Sequence, residues 1–381
     1  MRTPFTDLIG VTSPMVGFSR SPGVVAAVTN EGGLGVLAAS GYTPQELDAQ
    51  MTWIENQIDG RPYGVDLLVP EKFTEAGSQD LLGQLRDQIP QRHIEFVDRL
   101  LTHYDIPRPE NSSELAGADF GRIMASSIRG EGVDALLDVA FSHRISLIAN
   151  ALGPAPRTLV ERSHSAGVLV ASLVGAPKHV PKQIDQGVDI LVAQGTEAGG
   201  HTGSVTTMVL TPEVIDAAEG RPVLTAGGIA SGRQMAAALT LGAAGVWCGS
   251  VWLSSIEDIT PDPVKDKFID ATSSDTVRSR ARTGKPARQL SSAWHTAWEG
   301  ADSPGALPMP LQPLLTSEAW AQIDAAAKEG HPGAIELESF YIGQVVGAFS
   351  EKRTASQIAR SIMDDCDRQL ETVAALLNSG A

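Results

Sequence analysis

"VDILVAQGTEAGGHTG", residues 188–203, followed by "RPVLTAGGIASGRQMAAAL", residues 221–239, decides the fold. Each stretch opens with an apolar run and breaks at glycine, and the second continues through Ser231 into a helical pattern. Apolar runs without alternation suit parallel strands covered on both faces. The same unit recurs outward from this pair, as "TSPMVGF" (12–18), "GLGVLAAS" (33–40), "RPYGVDLLV" (61–69), "RISLIANAL" (144–152), "GVLVASLV" (167–174) and "AGVWCGSVWL" (244–253). With the opening pair that makes eight. Helix signals fall between them: Ser21 before Pro22, Thr43–Pro44, Thr211–Pro212 and Ser231. Eight strand–helix alternations predict an α/β fold, a closed (β/α)8 TIM barrel. A doubly wound open sheet fits less well, because "VGFSRSPG" after the first run lacks the GxGxxG phosphate turn.

Two regions exceed a minimal barrel. Residues 70–143 are too long for one connection and predict a helical insertion after strand 3: a lid, a homodimer contact or a tunnel wall. Residues 254–333 predict a small cap subdomain over the C-terminal mouth. The reading therefore assigns 1–253 to the barrel with its insertion, 254–333 to the cap, and 334–381 to C-terminal helices packing back on the barrel, the last of them strongly amphipathic.

Composition narrows the function. The 381 residues carry a formal charge of −16, with 42% hydrophobic and 19% charged residues, an ordinary globular balance. That charge argues against nucleic acid as a partner, though not against a small anion bound by backbone amides. No apolar stretch reaches the length of a membrane span and no signal-peptide core opens the chain. Cys248 and Cys366 form no zinc or CxxC pattern, so the expectation is two reduced thiols in a cytoplasmic protein without a metal.

Barrel chemistry sits at the C-terminal strand ends. Glycines concentrate there, and Gly227–Gly228 and Gly249–Ser250 follow the last two strands, where phosphate cradles commonly form. For either pair alone, a tight turn is the simpler explanation; two pairs at one barrel position favour phosphate binding. His201 falls just past strand six, where an imidazole could exchange protons near neutral pH. A lone histidine is more often structural. Glu197 is a rival acid/base, or a residue that merely caps or holds its loop. His143 precedes strand four at the wrong end; His93, His103, His164, His179, His295 and His331 lie in helical patterns, the insertion or the cap.

Together, "VAQGTEAGGHTG" and "TAGGIASGRQMAAALTLGAAGVWCGSVWL" resemble the FMN-dependent nitronate monooxygenase family. Further matches are "VTNEGGLGVLAAS" (28–40), "RPYGVDLL" (61–68), "RTGKPARQL" (282–290) and "GQVVGAF" (343–349). The resemblance implies FMN at the mouth, its phosphate on Gly227, Gly228, Gly249 and Ser250, Gln194 and Gly199 bordering the flavin, and Met15 and Gly17 beneath the ring. It implies His201 as active-site base or orienter, with a small-molecule nitronate and O2 as partners. Three departures stand out. "MVGFS" replaces a Gln-Gly-Gly motif, Asp66 replaces an asparagine that would border the flavin, and "VASLVGAP" (170–177) lacks a second histidine. The last stretch, with "GSVTTMVLTPEV" (203–214), is similar instead to flavin-dependent enoyl-thioester reductases, which draw on NAD(P)H. A nitronate oxidase is the first expectation and such a reductase the alternative.

Overall fold

The computed structural model describes residues 1–69, 79–108, 131–151 and 153–378. Its strands in chain order are β1 (Met15–Ser19), β2 (Leu34–Ala38), β3 (Tyr63–Asp66), β4 (Leu147–Asn150), β5 (Leu169–Val174), β6 (Ile190–Gln194), β7 (Gly200–His201), β8 (Val223–Ala226), β9 (Gly245–Cys248), β10 (Thr276–Ser279) and β11 (Ala287–Leu290). All but β7, β10 and β11 form a closed parallel barrel, a (β/α)8 TIM barrel. Pairing of β1 with β9, Met15 opposite Val246 and Gly17 opposite Cys248, closes the ring. Each apolar run in the sequence contains one barrel strand.

Strand alternation sorts side chains into two layers. Val16, Val36, Leu147, Ala149, Ile190, Val192 and Leu224 fill the interior. Leu37, Tyr63, Val65, Ile148, Leu191 and Ala193 face the helices outside. Helix Pro4–Ile9 closes the N-terminal end: Phe5 is fully buried among the interior residues, and the Thr3 hydroxyl donates to the Ala244 carbonyl just before β9. That leaves the opposite mouth as the place for chemistry.

Two helix starts differ from the sequence reading. Ser21 precedes helix Pro22–Asn30 but does not cap it; its hydroxyl bridges Asp258 Oδ2 and the Ile259 amide, each at 2.9 Å. The helix expected to open at Thr211–Pro212 runs Thr207–Ala217, with Pro212 inside. Its start is set instead by Glu197, whose carboxylate accepts the Thr207 amide at 2.9 Å. An anion at the first turn stabilises a helix, which helps it tolerate an interior proline.

The 70–143 region divides. Helix Glu131–Ser142 packs Val133, Leu136 and Leu137 on the outer barrel cluster, as an ordinary barrel helix does. Helix Gln91–His103 instead puts Phe96, Val97, Leu100 and Leu101 into a separate core with Trp294, Trp298 and Trp320. Ala334 and Leu337 belong to that core as well, so the chain just past residue 333 packs with the cap rather than with the barrel. Truncating one such buried tryptophan costs about 3–5 kcal/mol, so this core holds the cap firmly. The lid, dimer-contact and tunnel alternatives concern the whole of 70–143, of which 70–78 and 109–130 lie outside the described residues. Helix Ala355–Asn378 places Ile358, Ala359, Ile362 and Cys366 against Val24, Val28 and Met235 of two barrel helices. A Cβ on Gly232 would stand 2.1 Å from the Cys366 amide, so only glycine permits that approach. Both cysteines are free and buried.

Candidate active site

His201 is not on a permissive loop. Gly200 and His201 form β7, the edge of a three-stranded sheet ordered β10–β11–β7, with His201 opposite Ala287 and Gly200 opposite Arg288. Arg288 locks the approach by donating to the Thr196 carbonyl at 2.8 Å. The cap therefore grips the loop that leaves β6 and fixes the histidine over the barrel mouth. His201 Nε2 lies 2.8 Å from Thr283 Oγ1, and the Thr283 hydroxyl lies 3.2 Å from the Lys285 carbonyl. With the threonine proton on that carbonyl, Nε2 donates to Oγ1 and Nδ1 carries the free lone pair. His201 is open to the mouth. Even so, desolvation by the surrounding protein, followed by the Lys285 charge, pushes its pKa down to about 4. The imidazole is therefore neutral at physiological pH, a weaker base than free histidine but with its Nδ1 lone pair available.

Glu197 takes the capping part of its two possible roles. Both of its oxygens accept the Thr207 amide and one lies 2.8 Å from the Thr207 hydroxyl, which also reaches the Gly227 carbonyl at 2.9 Å. These contacts tie the β6 loop to the β8 loop.

Gly227 and Gly228 have φ of 93° and 75°, the left-handed region that side chains disfavour. The amides of Gly228 and Ile229 have no acceptor among the described residues. The first amides of helix Gly232–Thr240 and its approach are largely engaged already. Gln234 Oε1 accepts the Ala230 amide at 2.8 Å, and Asp365 Oδ2 accepts the Arg233 amide at 3.0 Å. A carboxylate from the C-terminal helix thus already answers this N-terminus. Across the rim, Gly249 sits over Phe18, and Ser250 Oγ accepts the Gly343 amide at 2.8 Å. The Gln344 amide in turn donates to the Glu197 carbonyl at 2.9 Å. A Cβ on Gly199 would stand 2.8 Å from the backbone of Ile342, so that glycine is needed for the same close packing.

Strand parity places the remaining candidates. Gln194 continues the inward series Ile190 and Val192. Asp66 alternates with the outward Tyr63 and Val65 and so faces inward; it is 4% exposed, and Oδ2 has no partner. Burial alone pushes its pKa up to about 7. Met15 and Gly17 lie outside that inward series. Met15 packs among Val24, Val28 and Met235, and a Cβ on Gly17 would meet Val28 at 2.5 Å, so both face the helix layer. The period of two turns Val16 and Phe18 inward instead, and Phe18 lies 5.8 Å from Trp247. Any contact of Met15 or Gly17 with a ligand in the barrel is through backbone.

Sequence reasoning missed Thr283, Lys285 and Tyr341. The Tyr341 ring lies 6.1 Å from His201, and its buried hydroxyl has no partner among the described residues. "RTGKPARQL" and "GQVVGAF" marked the neighbourhood of these residues, but only the cap sheet connects them to His201. Among the described residues no three His, Cys, Asp or Glu gather as metal ligands, and no helix is long and apolar enough to cross a membrane.

Comparison with known proteins agrees with this architecture. The profile of the family described as "Nitronate monooxygenase" matches residues 3–365. A Mycobacterium tuberculosis protein described as a monooxygenase is 50% identical over 380 residues, 99% of this chain and 98% of its own. A Rhodococcus jostii 5-hydroxy-7a-methyl-1-oxo-octahydro-1H-indene-4-carboxyl-CoA dehydrogenase is 28% identical, over 99% of both chains. Among solved structures, the nitroalkane oxidase of Streptomyces ansochromogenes superposes with a TM-score of 0.76 at 25% identity, over 97% of this chain and 99% of that one.

Proposed function

The chain belongs to the nitronate monooxygenase family and is an oxidoreductase, and from that premise we propose that it oxidises alkyl nitronates with O2 to carbonyl products and nitrite, using FMN at the barrel mouth. The observation that carries this reading is the neutral His201, held by the cap sheet over the same rim as the free amides of Gly228 and Ile229.

The rim residues suit FMN. Two left-handed glycines with unengaged amides match an anionic phosphate end, assisted by Gly249 and the Ser250 hydroxyl. Asp66, inward and with an unpartnered oxygen, matches a polar ring edge; Gln194 and Gly199 border the same space. FMN, when bound, accepts the electrons and passes them to O2. The protein positions the substrate. With Nδ1 unprotonated, the neutral imidazole removes a carbon-bound proton from a neutral nitroalkane, and the Nδ1–H so formed donates to a nitro oxygen. Thr283 holds the tautomer, and Lys285 favours an anionic nitronate nearby while opposing an imidazolium. The cap excludes water from one side of the site.

A second reading, an FMN-containing, NAD(P)H-dependent oxidoreductase of acyl thioesters, is favoured by the Rhodococcus relative, whose name specifies a carboxyl-CoA substrate. Anaerobic mixing separates the two. We expect an alkyl nitronate to bleach the flavin absorbance and NADPH or NADH to leave it unchanged. Bleaching by nicotinamide alone would replace the first reading with the second.

A further inference from the structure

Five of the chain's 29 Lys and Arg residues fall between Arg278 and Arg288, in a protein of formal charge −16. Two are at least half-buried and held by the fold. Arg288 donates to Thr196 and Thr276, and Arg282 donates to the Ser339 carbonyl with its guanidinium 4.1 Å from the Trp320 ring centroid. The other three, Arg278, Arg280 and Lys285, are exposed. None of these three joins an ion pair with a carboxylate among the described residues. Arg278 donates to the Thr202 carbonyl at 3.0 Å, one residue past His201. Cations gathered on one hairpin repel one another until an anion joins them.

Beside them lies an open cleft of about 490 Å³, lined among others by Arg278, Ser279, Arg280, Pro286, Trp298 and Glu299. Glu299 is the single carboxylate of that lining, against two guanidinium groups. Trp298, 5% exposed, backs the cleft, and its buried indole N–H has no acceptor among the described residues. Ser279 pairs with Ala287 and Ala287 with His201, so the cleft wall stands two strand spacings, about 10 Å, from the histidine backbone. A simple alkyl nitronate needs no such cleft. Two guanidinium forks in one lining suit phosphate, which each can grip with paired hydrogen bonds.

We propose that this cleft, walled by Arg278 and Arg280, binds the phosphorylated adenosine end of a nucleotide-bearing substrate whose reacting end reaches His201. The inference rests on the acyl-thioester reading above. Two molecules share the chemistry, a coenzyme A thioester with its 3′-phosphate and NADPH with its 2′-phosphate.

Calorimetric titration of the flavin-loaded protein at low salt, with coenzyme A, adenosine 3′,5′-bisphosphate, NADPH and NADH, tests it. The Arg280 side chain makes no hydrogen bond among the described residues, so Arg280→Glu leaves the fold and the flavin absorbance intact; Arg278→Gln is the second variant. We expect coenzyme A and the bisphosphate to bind, and each variant to weaken both at least about fivefold, as loss of a charge-assisted phosphate contact does. Weakening confined to NADPH, with NADH unaffected and coenzyme A not bound, assigns the cleft to the dinucleotide. No binding of any phosphorylated nucleotide, or equal binding by wild type and both variants, overturns the proposal. Nitronate bleaching is read separately, so an intact bleaching response with no nucleotide binding sinks the cleft and leaves the nitronate reading standing.

Discussion

The barrel rim and the cap sheet meet at the loop that carries His201 but carry opposite chemistry. The barrel presents backbone and weakly charged groups: the amides after Gly227, the Ser250 hydroxyl, and Asp66 with a pKa raised to about 7. The cap presents side chains that are cationic or proton-accepting: Arg278, Arg280, Lys285 and the tether of His201. Backbone amides fixed by left-handed glycines cannot be retuned without strain, whereas side chains on an exposed hairpin can be exchanged freely. The difference suits an invariant ligand on the barrel and a selectable one on the cap.

The largest effect should come from His201→Ala. We expect turnover to fall at least about 10²-fold while bound flavin stays unchanged, since the residue belongs to the cap sheet. Steady-state rates and the flavin spectrum measure this, and a full rate would break the division of labour. In the wild type, the pKa of about 4 places protonation of His201 well below neutrality. The rate should therefore hold from pH 8 down to about 5 before this group protonates and removes the base.

Gly228→Val should act in the opposite sense. A β-branched residue at φ of 75° is strained, and its side chain stands in the proposed cradle. FMN affinity should drop at least about tenfold, about 1.4 kcal/mol, measured by flavin released on gel filtration. Full retention would show that the anion is held elsewhere on the rim.

Asp66→Asn should give the smallest effect and sharpen the barrel side. A buried carboxyl with a raised pKa favours the folded state while both states are protonated. That contribution is lost as pH rises from the ordinary value of 3.8 through about 7. The Tm of Asp66→Asn should therefore gain on the wild type as pH increases, by a few degrees, and level off above about 7. A constant gap in thermal melts between pH 5 and 8 would mean that Asp66 is charged throughout.

Much of the barrel was legible because its signal is local. A run such as "ILVAQ" is nearly all apolar and is followed at once by glycine, and eight such runs suffice to count the strands. The candidate rim was legible for the same reason, since strand ends and Gly-rich loops coincide. Orientation was harder to read. Met15 and Gly17 fall in the expected strand, yet their parity turns them toward Val28, because only the register with β2 and β9 fixes which face is inward. The start of helix Thr207–Ala217 was misread because its anionic cap, Glu197, comes from ten residues earlier through a loop closed in space.

The sequence by itself determined the closed barrel, the family and the rim on which glycines meet His201, because strand periodicity and turn chemistry are written within a few residues of one another. Tertiary structure alone decided that His201 is a strand of the cap, that Thr283 sets its tautomer, and that Arg278 and Arg280 share a cleft beside it. Those contacts join residues about eighty positions apart, and hydrogen-bond partners at that separation are chosen by how the cap docks on the barrel, not by any local pattern.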